Sequence, residues 1–155
     1  MNTSLLHVFN GLAIVTTAVV FGTDVFFALV GKKAAAKSKD ASVADVMGHF
    51  HEVADARMPL VGVAAILSTL LQVMVAGLHT FQGQLAAISL AALLTHLAIY
   101  FTIARPVNNI MVDAVKFGRI VNNIRELQQR WDRVIGLRAA LLFIAIAGLV
   151  VVNYY

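Results

Sequence analysis

Four long apolar stretches alternate with polar ones along the chain. They cover roughly residues 5–31, 58–80, 85–104 and 134–154. Each can cross ~30 Å of hydrocarbon as a helix, which takes about 20 apolar residues. The polar stretches differ in character. KKAAAKSKDAS (32–42) reads as a linker. Ser42 and Asp45 have the spacing of a helix-start box, and Val43, Val46, Met47, Phe50 and Ala54 then recur at helical intervals. This predicts a short amphipathic helix ending at Arg57, with Pro59 opening the second span. After Arg105-Pro106, a longer stretch carries Ile110, Ala114, Phe117, Val121, Ile124 and Trp131 on one stripe. Asp113, Lys116, Asn123, Glu126 and Arg130 oppose it. The predicted fold is all-α, a membrane-embedded four-helix bundle forming one domain over residues 1–155. Amphipathic helices follow spans 1 and 3 and lie on the membrane or extend the bundle. The first stretch lacks a basic lead and is longer than the apolar part of a secretory leader, so it is expected to be retained.

Composition narrows the class. Charged residues are 13% of the chain and hydrophobic ones 60%, against roughly 25% charged in soluble domains. Without cysteine, neither disulfides nor thiolate metal centres are available. The net charge of +4 matters through its placement. Lys32, Lys33, Lys37, Lys39 and Arg57 fall between spans 1 and 2, and Arg105, Lys116, Arg119, Arg125, Arg130 and Arg133 between spans 3 and 4. Arg138 sits just inside the fourth span. Apolar runs between two basic segments fit a membrane partner, not a nucleic acid. Basic loops stay cytoplasmic, so both termini and the turn Thr80–Gln84 are expected outside, with Tyr154 and Tyr155 at the outer interface. The expected location is a bacterial inner membrane.

Against this background Asp24, in VVFGTDVFFALVGKK (19–33), is out of place. By helical rise it lies ~12 Å from the Lys32 end of its span, His96 ~13 Å from Arg105, and Arg138 ~8 Å from Arg133. Three ionisable groups on three helices thus fall at similar depth, where an unpaired charge costs at least about 2.5–3.5 kcal/mol. Pairing inside the bundle is the remedy. Each span carries one polar stripe: Asn10, Thr17 and Asp24; Thr69, Gln72 and His79; Ser89 and His96 with Tyr100 one turn on; Trp131 and Arg138. Structural readings stand beside the functional one. Arg138 is near enough to the surface to snorkel, Asp24 could only link helices, and His96 could be a satisfied core histidine. Asn10 and Gln72 read as structural, and His7 and His79 as interfacial. In HFHEVAD (49–55), His51 and Asp55 share a helical face. They are weak candidates for a metal site, and a solvated polar face is the favoured reading.

Three motifs carry a resemblance. HEVADARMPLVG (51–62), ARPVNN (104–109) and RWDRVIGLR (130–138) resemble, in span order and spacing, the anthrone-oxygenase-like family of small four-span membrane proteins, many of unknown function. One position departs: Ile135 stands where many relatives carry a His four residues after the Trp. The resemblance implies oxidation of a flat phenolic anthrone by dioxygen, with no cofactor required. His96 would then be the general base, tuned by Asp24. Arg138 and Asn108 would hold the phenolate oxygen, and Trp131 and Tyr100 would contact the ring. Two rivals remain open: a non-catalytic membrane module (an accessory subunit or a binder of small hydrophobes) and a haem or quinone redox protein. Metal or haem content, oligomeric state and protein partners stay open as well.

Overall fold

The computed structural model describes residues 3–154; Tyr155 lies outside them. Four helices, α1 (Ser4–Lys37), α2 (Asp40–Ala76), α3 (Phe81–Phe117) and α4 (Ile124–Tyr154), are each long and apolar enough to cross a membrane. Among the described residues there are no strands. Each helix packs on its two neighbours in chain order, and α4 closes the ring on α1. Such an up-down-up-down bundle follows from short links. Both ends of the chain therefore lie at one end of the bundle, where Asn10 Nδ2 donates to Asn153 Oδ1 at 2.7 Å.

The distribution of side chains is that of a protein in lipid. Large apolar residues such as Val15, Leu29, Leu60 and Phe143 are exposed. Small or polar ones such as Ala13, Thr17, Ala65, Thr69, Ser89 and Ala145 fill the interior. Small residues let helix backbones approach closely where no water drives them together. Two buried hydroxyls are satisfied locally, Thr69 Oγ1 donating to the Ala65 carbonyl and Ser89 Oγ to that of Leu85, whereas Thr17 Oγ1 has no partner among the described residues. The basic end holds a heavier cluster that includes Phe27, Met47, Val107, Met111, Trp131 and Ile135.

Four sequence expectations are corrected. The linker read over 32–42 shrinks to Ser38 and Lys39, because Lys32–Lys37 continues α1, and α2 begins at Asp40 after Lys39, so Ser42 and Asp45 lie inside it and do not start it. Pro59 does not open a second helix; it lies inside the continuous α2. An interior proline removes a hydrogen bond and costs about 3 kcal/mol, but α2 packs against α1 and α3 on both sides of it, and packing overrides the local break. The long stripe after Arg105 also fails as one stripe. Ala114 is buried as expected, but Ile110 and Phe117 are exposed, and α3 buries Val107 and Met111 in their place. Gly118 takes a left-handed conformation (φ 62°) and ends α3, as glycine does at helix C-termini. Residues beyond it, Ile124 and Trp131 among them, belong to α4 with its own phase.

Three irregularities shape the basic half. Residues Phe27–Gly31 of α1 and Tyr100–Ala104 of α3 are π-helical turns, a form often found at functional sites. Gly31 has a steric role: a Cβ there would come 2.5 Å from Phe27 Cδ1, so the bare backbone makes room for the Phe27 ring. The link between α1 and α2 is held by Arg125 of α4. Its guanidinium donates to the Ala35 and Ser38 carbonyls and to Asp40 Oδ1.

Candidate functional site

A cavity of about 470 Å³ lies among all four helices in the basic half of the bundle, within the usual size range of small-molecule pockets. Asp24, His51, Asp55, His96, Tyr100, Asn108, Trp131 and Arg138, the eight residues singled out in the sequence, all line it. Helical spacing explains the convergence. Asp24 and Thr17 lie two turns apart on α1, as do Trp131 and Arg138 on α4, so each pair looks inward on one face.

At the heart of the wall three ionisable groups meet. Arg138 Nη2 donates to Asp24 Oδ1 at 3.1 Å, and His96 Nε2 lies 3.0 Å from Asp24 Oδ2. Arg138 does not snorkel: it is 8% exposed, and Asp24 is 3% exposed. The paired geometry makes burial tolerable, because a buried charge needs both a counter-charge and hydrogen bonds. Arg138 also sits 5.9 Å from the centre of the Tyr100 ring.

The same His96 nitrogen also lies 3.3 Å from Arg138 Nε. The two contacts make opposite demands. Asp24 asks Nε2 to carry a hydrogen, and Arg138 asks it to present a lone pair. A carboxylate oxygen facing a lone pair at 3.0 Å is the costlier conflict, so the hydrogen belongs on Nε2 and points to Asp24. Neutral His96 then has its lone pair on Nδ1, a nitrogen for which the described residues provide no hydrogen-bond partner. An orienting carboxylate behind an imidazole is a recurrent way to set its tautomer. On the guanidinium, Nη1 likewise has no partner among the described residues.

A second polar group lies nearer the basic end. Asn108 Nδ2 donates to both oxygens of Asp55, at 3.2 and 3.0 Å, and the Tyr100 phenol also interacts with that carboxylate. The Asp55 carboxylate can only accept, so the Asn108 amide nitrogen must face it. Asn108 is left with an unpartnered oxygen; one of its two N–H groups is committed to Asp55, since only one can point at a single carboxylate.

Aromatic rings enclose the basic end of the cavity. Trp131 meets Phe27 edge-on at 5.2 Å and His51 at 5.6 Å, and Phe27 meets Phe50 edge-on at 5.0 Å. His51 is therefore not on a solvated face: it is 4% exposed, tucked behind Trp131. It lies seven residues before the apolar span, and burial pushes its pKa down to about 4, against the opposing pull of Asp55. His51 is neutral near pH 7. No group of three His, Cys, Asp or Glu side chains able to hold a metal occurs among the described residues, so His51 and Asp55 gain no third ligand.

Sequence reasoning missed Phe27, Phe50 and Arg105 as cavity residues. The four-residue spacing of Phe27 and Gly31 was a readable signal for the first. Arg105 spreads over the Phe101 ring at 5.4 Å. No family model matches the chain, and no curated protein or solved structure shows similarity to it.

Proposed function

We propose that this integral membrane protein is an oxygenase, taking a flat, lipid-soluble phenolic anthrone into the cavity and oxidising its acidic CH₂ with dioxygen. The observation that carries this reading is the buried Asp24–His96–Arg138 cluster on the wall of a cavity enclosed by all four helices. His96 Nδ1 takes the proton, and Asp24 stabilises the imidazolium that forms. The negative charge spreads over the ring system to its oxygen, where Arg138 Nη1 donates. Fixed charge aimed at developing charge, away from water, is the strongest general source of catalysis.

The electron-rich anion gives one electron to dioxygen, and recombination forms a carbon–oxygen bond and a peroxide. Loss of water from the peroxide leaves the carbonyl, with His96 moving the proton. The balance is R₂CH₂ + O₂ → R₂C=O + H₂O, so dioxygen is both oxidant and oxygen source, and no further cofactor is required. Trp131 and Tyr100 flank the ring, and the unpartnered Asn108 oxygen accepts a phenol hydrogen. The location that goes with this function is a bacterial inner membrane, with the basic links cytoplasmic and both termini outside.

Oxygen uptake by purified protein in micelles, with anthrone as substrate, tests the reading. Wild-type protein should consume oxygen, and His96→Ala should lower turnover by about 10²–10⁴, the usual contribution of a general base, while its unfolding temperature stays near wild type. Undiminished turnover in His96→Ala would overturn the assignment of the base. Anthrone binding without oxygen uptake would replace the oxygenase with a carrier.

A further inference from the structure

We infer that the cavity opens sideways into the lipid through a gap between α2 and α3, and that its ligand arrives through this gap from the hydrocarbon. This deepens the functional reading by naming the route, but it rests on the cavity alone and not on the oxidation.

The gap has a structural cause on each side. α2 packs against α3 in two places, on Phe81–Ile99 and again on Arg105–Phe117. Between them the backbone of the π turn Tyr100–Ala104 packs on α4 rather than α2, which it reaches through the Tyr100 phenol at Asp55. Facing it, Pro59 brings no N–H to the Asp55 carbonyl, so α2 loses a ladder bond beside the cavity. Pro59, Tyr100 and Phe101 all line that cavity. The two irregular segments part the helices where regular ones would close.

The rim is suited to lipid. Val63 of α2 and Phe101 of α3 line the cavity and are also 53% and 49% exposed, so both reach from inside to outside. Gly62 lies beside Val63 on the same rim, and a Cβ added there would meet nothing within 4 Å. By helical rise, Gly62 lies about 6 Å inside Met58 and Phe101 about 5 Å inside Ala104, so the gap sits in hydrocarbon just beneath one interface. Arg105, stacked over Phe101, closes the interface side with a charge that a long side chain carries to the headgroups. The ligand class follows from this frame: a membrane-dissolved, largely apolar molecule whose leading end reaches the Asp24–His96–Arg138 cluster and whose trailing end can carry a polar group toward Arg105.

The chain's single tryptophan, Trp131, lies on the cavity wall and is 4% exposed, which gives a direct readout. Protein in liposomes is titrated with 1-bromonaphthalene, a lipid-dissolved heavy-atom quencher, and separately with acrylamide from water. The bromo-aromatic should quench Trp131 strongly and acrylamide weakly. Gly62→Phe should cut the bromonaphthalene quenching severalfold and leave the acrylamide response unchanged. Gly11→Phe, at an exposed α1 position where a Cβ also meets nothing within 4 Å, should behave as wild type. Phe101→Ala, which widens the gap, should raise quenching, and it keeps the test decisive if Gly62→Phe fails to fold. Equal quenching in wild type, Gly62→Phe and Phe101→Ala, or quenching dominated by acrylamide, would overturn the inference. Preserved quenching with no oxygen uptake would leave the route standing and remove the oxygenase.

Discussion

The ion cluster should be costly to break on either side and cheap to remove as a whole. Asp24→Leu leaves Arg138 buried with no counter-charge, and Arg138→Leu does the same to Asp24. Breaking a buried pair from one side costs about 3–5 kcal/mol, whereas replacing both partners with apolar residues is often neutral or stabilising. At 1.4 kcal/mol per factor of ten, each single variant should shift the folding equilibrium by roughly 10²- to 10⁴-fold. The two singles should differ in kind. Arg138 has a long stem and lies ~8 Å from the Arg133 level by helical rise, so in Asp24→Leu it can turn toward the headgroups and recover part of the loss. Asp24 has no such reach, and in Arg138→Leu it keeps only its contact with His96 Nε2. Arg138→Leu should therefore be the less stable single, and the double variant should be more stable than either. The assay is a double-mutant cycle on unfolding in mixed micelles, with midpoints by circular dichroism. Additive losses in the double variant, or single losses below about 1 kcal/mol, the scale of an exposed ion pair, would refute the buried, mutually dependent cluster.

Acid should destabilise the fold through His51. Burial holds its folded pKa at about 4, below the 6.5 of an ordinary histidine, so the folded state binds fewer protons than the unfolded one between these values. Its contribution is fully present above about pH 6.5 and is lost as pH falls toward 4, and a pH series of unfolding temperatures should show His51→Phe flattening that decline. Gly48→Ala should lower stability by about 1–3 kcal/mol, the range for overpacking, because its Cβ would come 2.5 Å from Val115 Cγ1 and 2.8 Å from the Met111 carbonyl; an unchanged denaturation midpoint would contradict the close approach of α2 and α3 there.

Much of the site was legible because helices in lipid have a simple metric. A rise per residue and a seven-residue spacing place Asp24, His96 and Arg138 at one depth, and the cost of stranding a charge there points them at one another. The same metric failed wherever the backbone departs from a regular helix. Nothing in FALVG or YFTIA marks a π turn, so the phase of the segments beyond them is not readable by counting. Pro59 looked like a helix start because propensity is local, while the packing that carries α2 through it involves residues far along the chain. Gly118 separates Val121, Ile124 and Trp131 from the rest of the stripe for the complementary reason, one positive φ redirecting the chain, while Ile110 and Phe117 before it are exposed by the phase of α3 itself. His51 was misread because its burial depends on Trp131, eighty residues away, and the Asn108 amide could be assigned a direction only once Asp55 was seen to hold it.

The distance in sequence between the partners of the ion cluster has a consequence for biogenesis. Asp24 and Arg138 are separated by 114 residues, and at about 5–20 residues per second of synthesis the carboxylate exists for many seconds before its guanidinium is made. α1 must therefore remain in an insertion site, or hold Asp24 protonated, until α4 arrives. For this chain, membrane integration and tertiary assembly are not separable stages: α4, made well after α1, is what makes α1 stable in the bilayer.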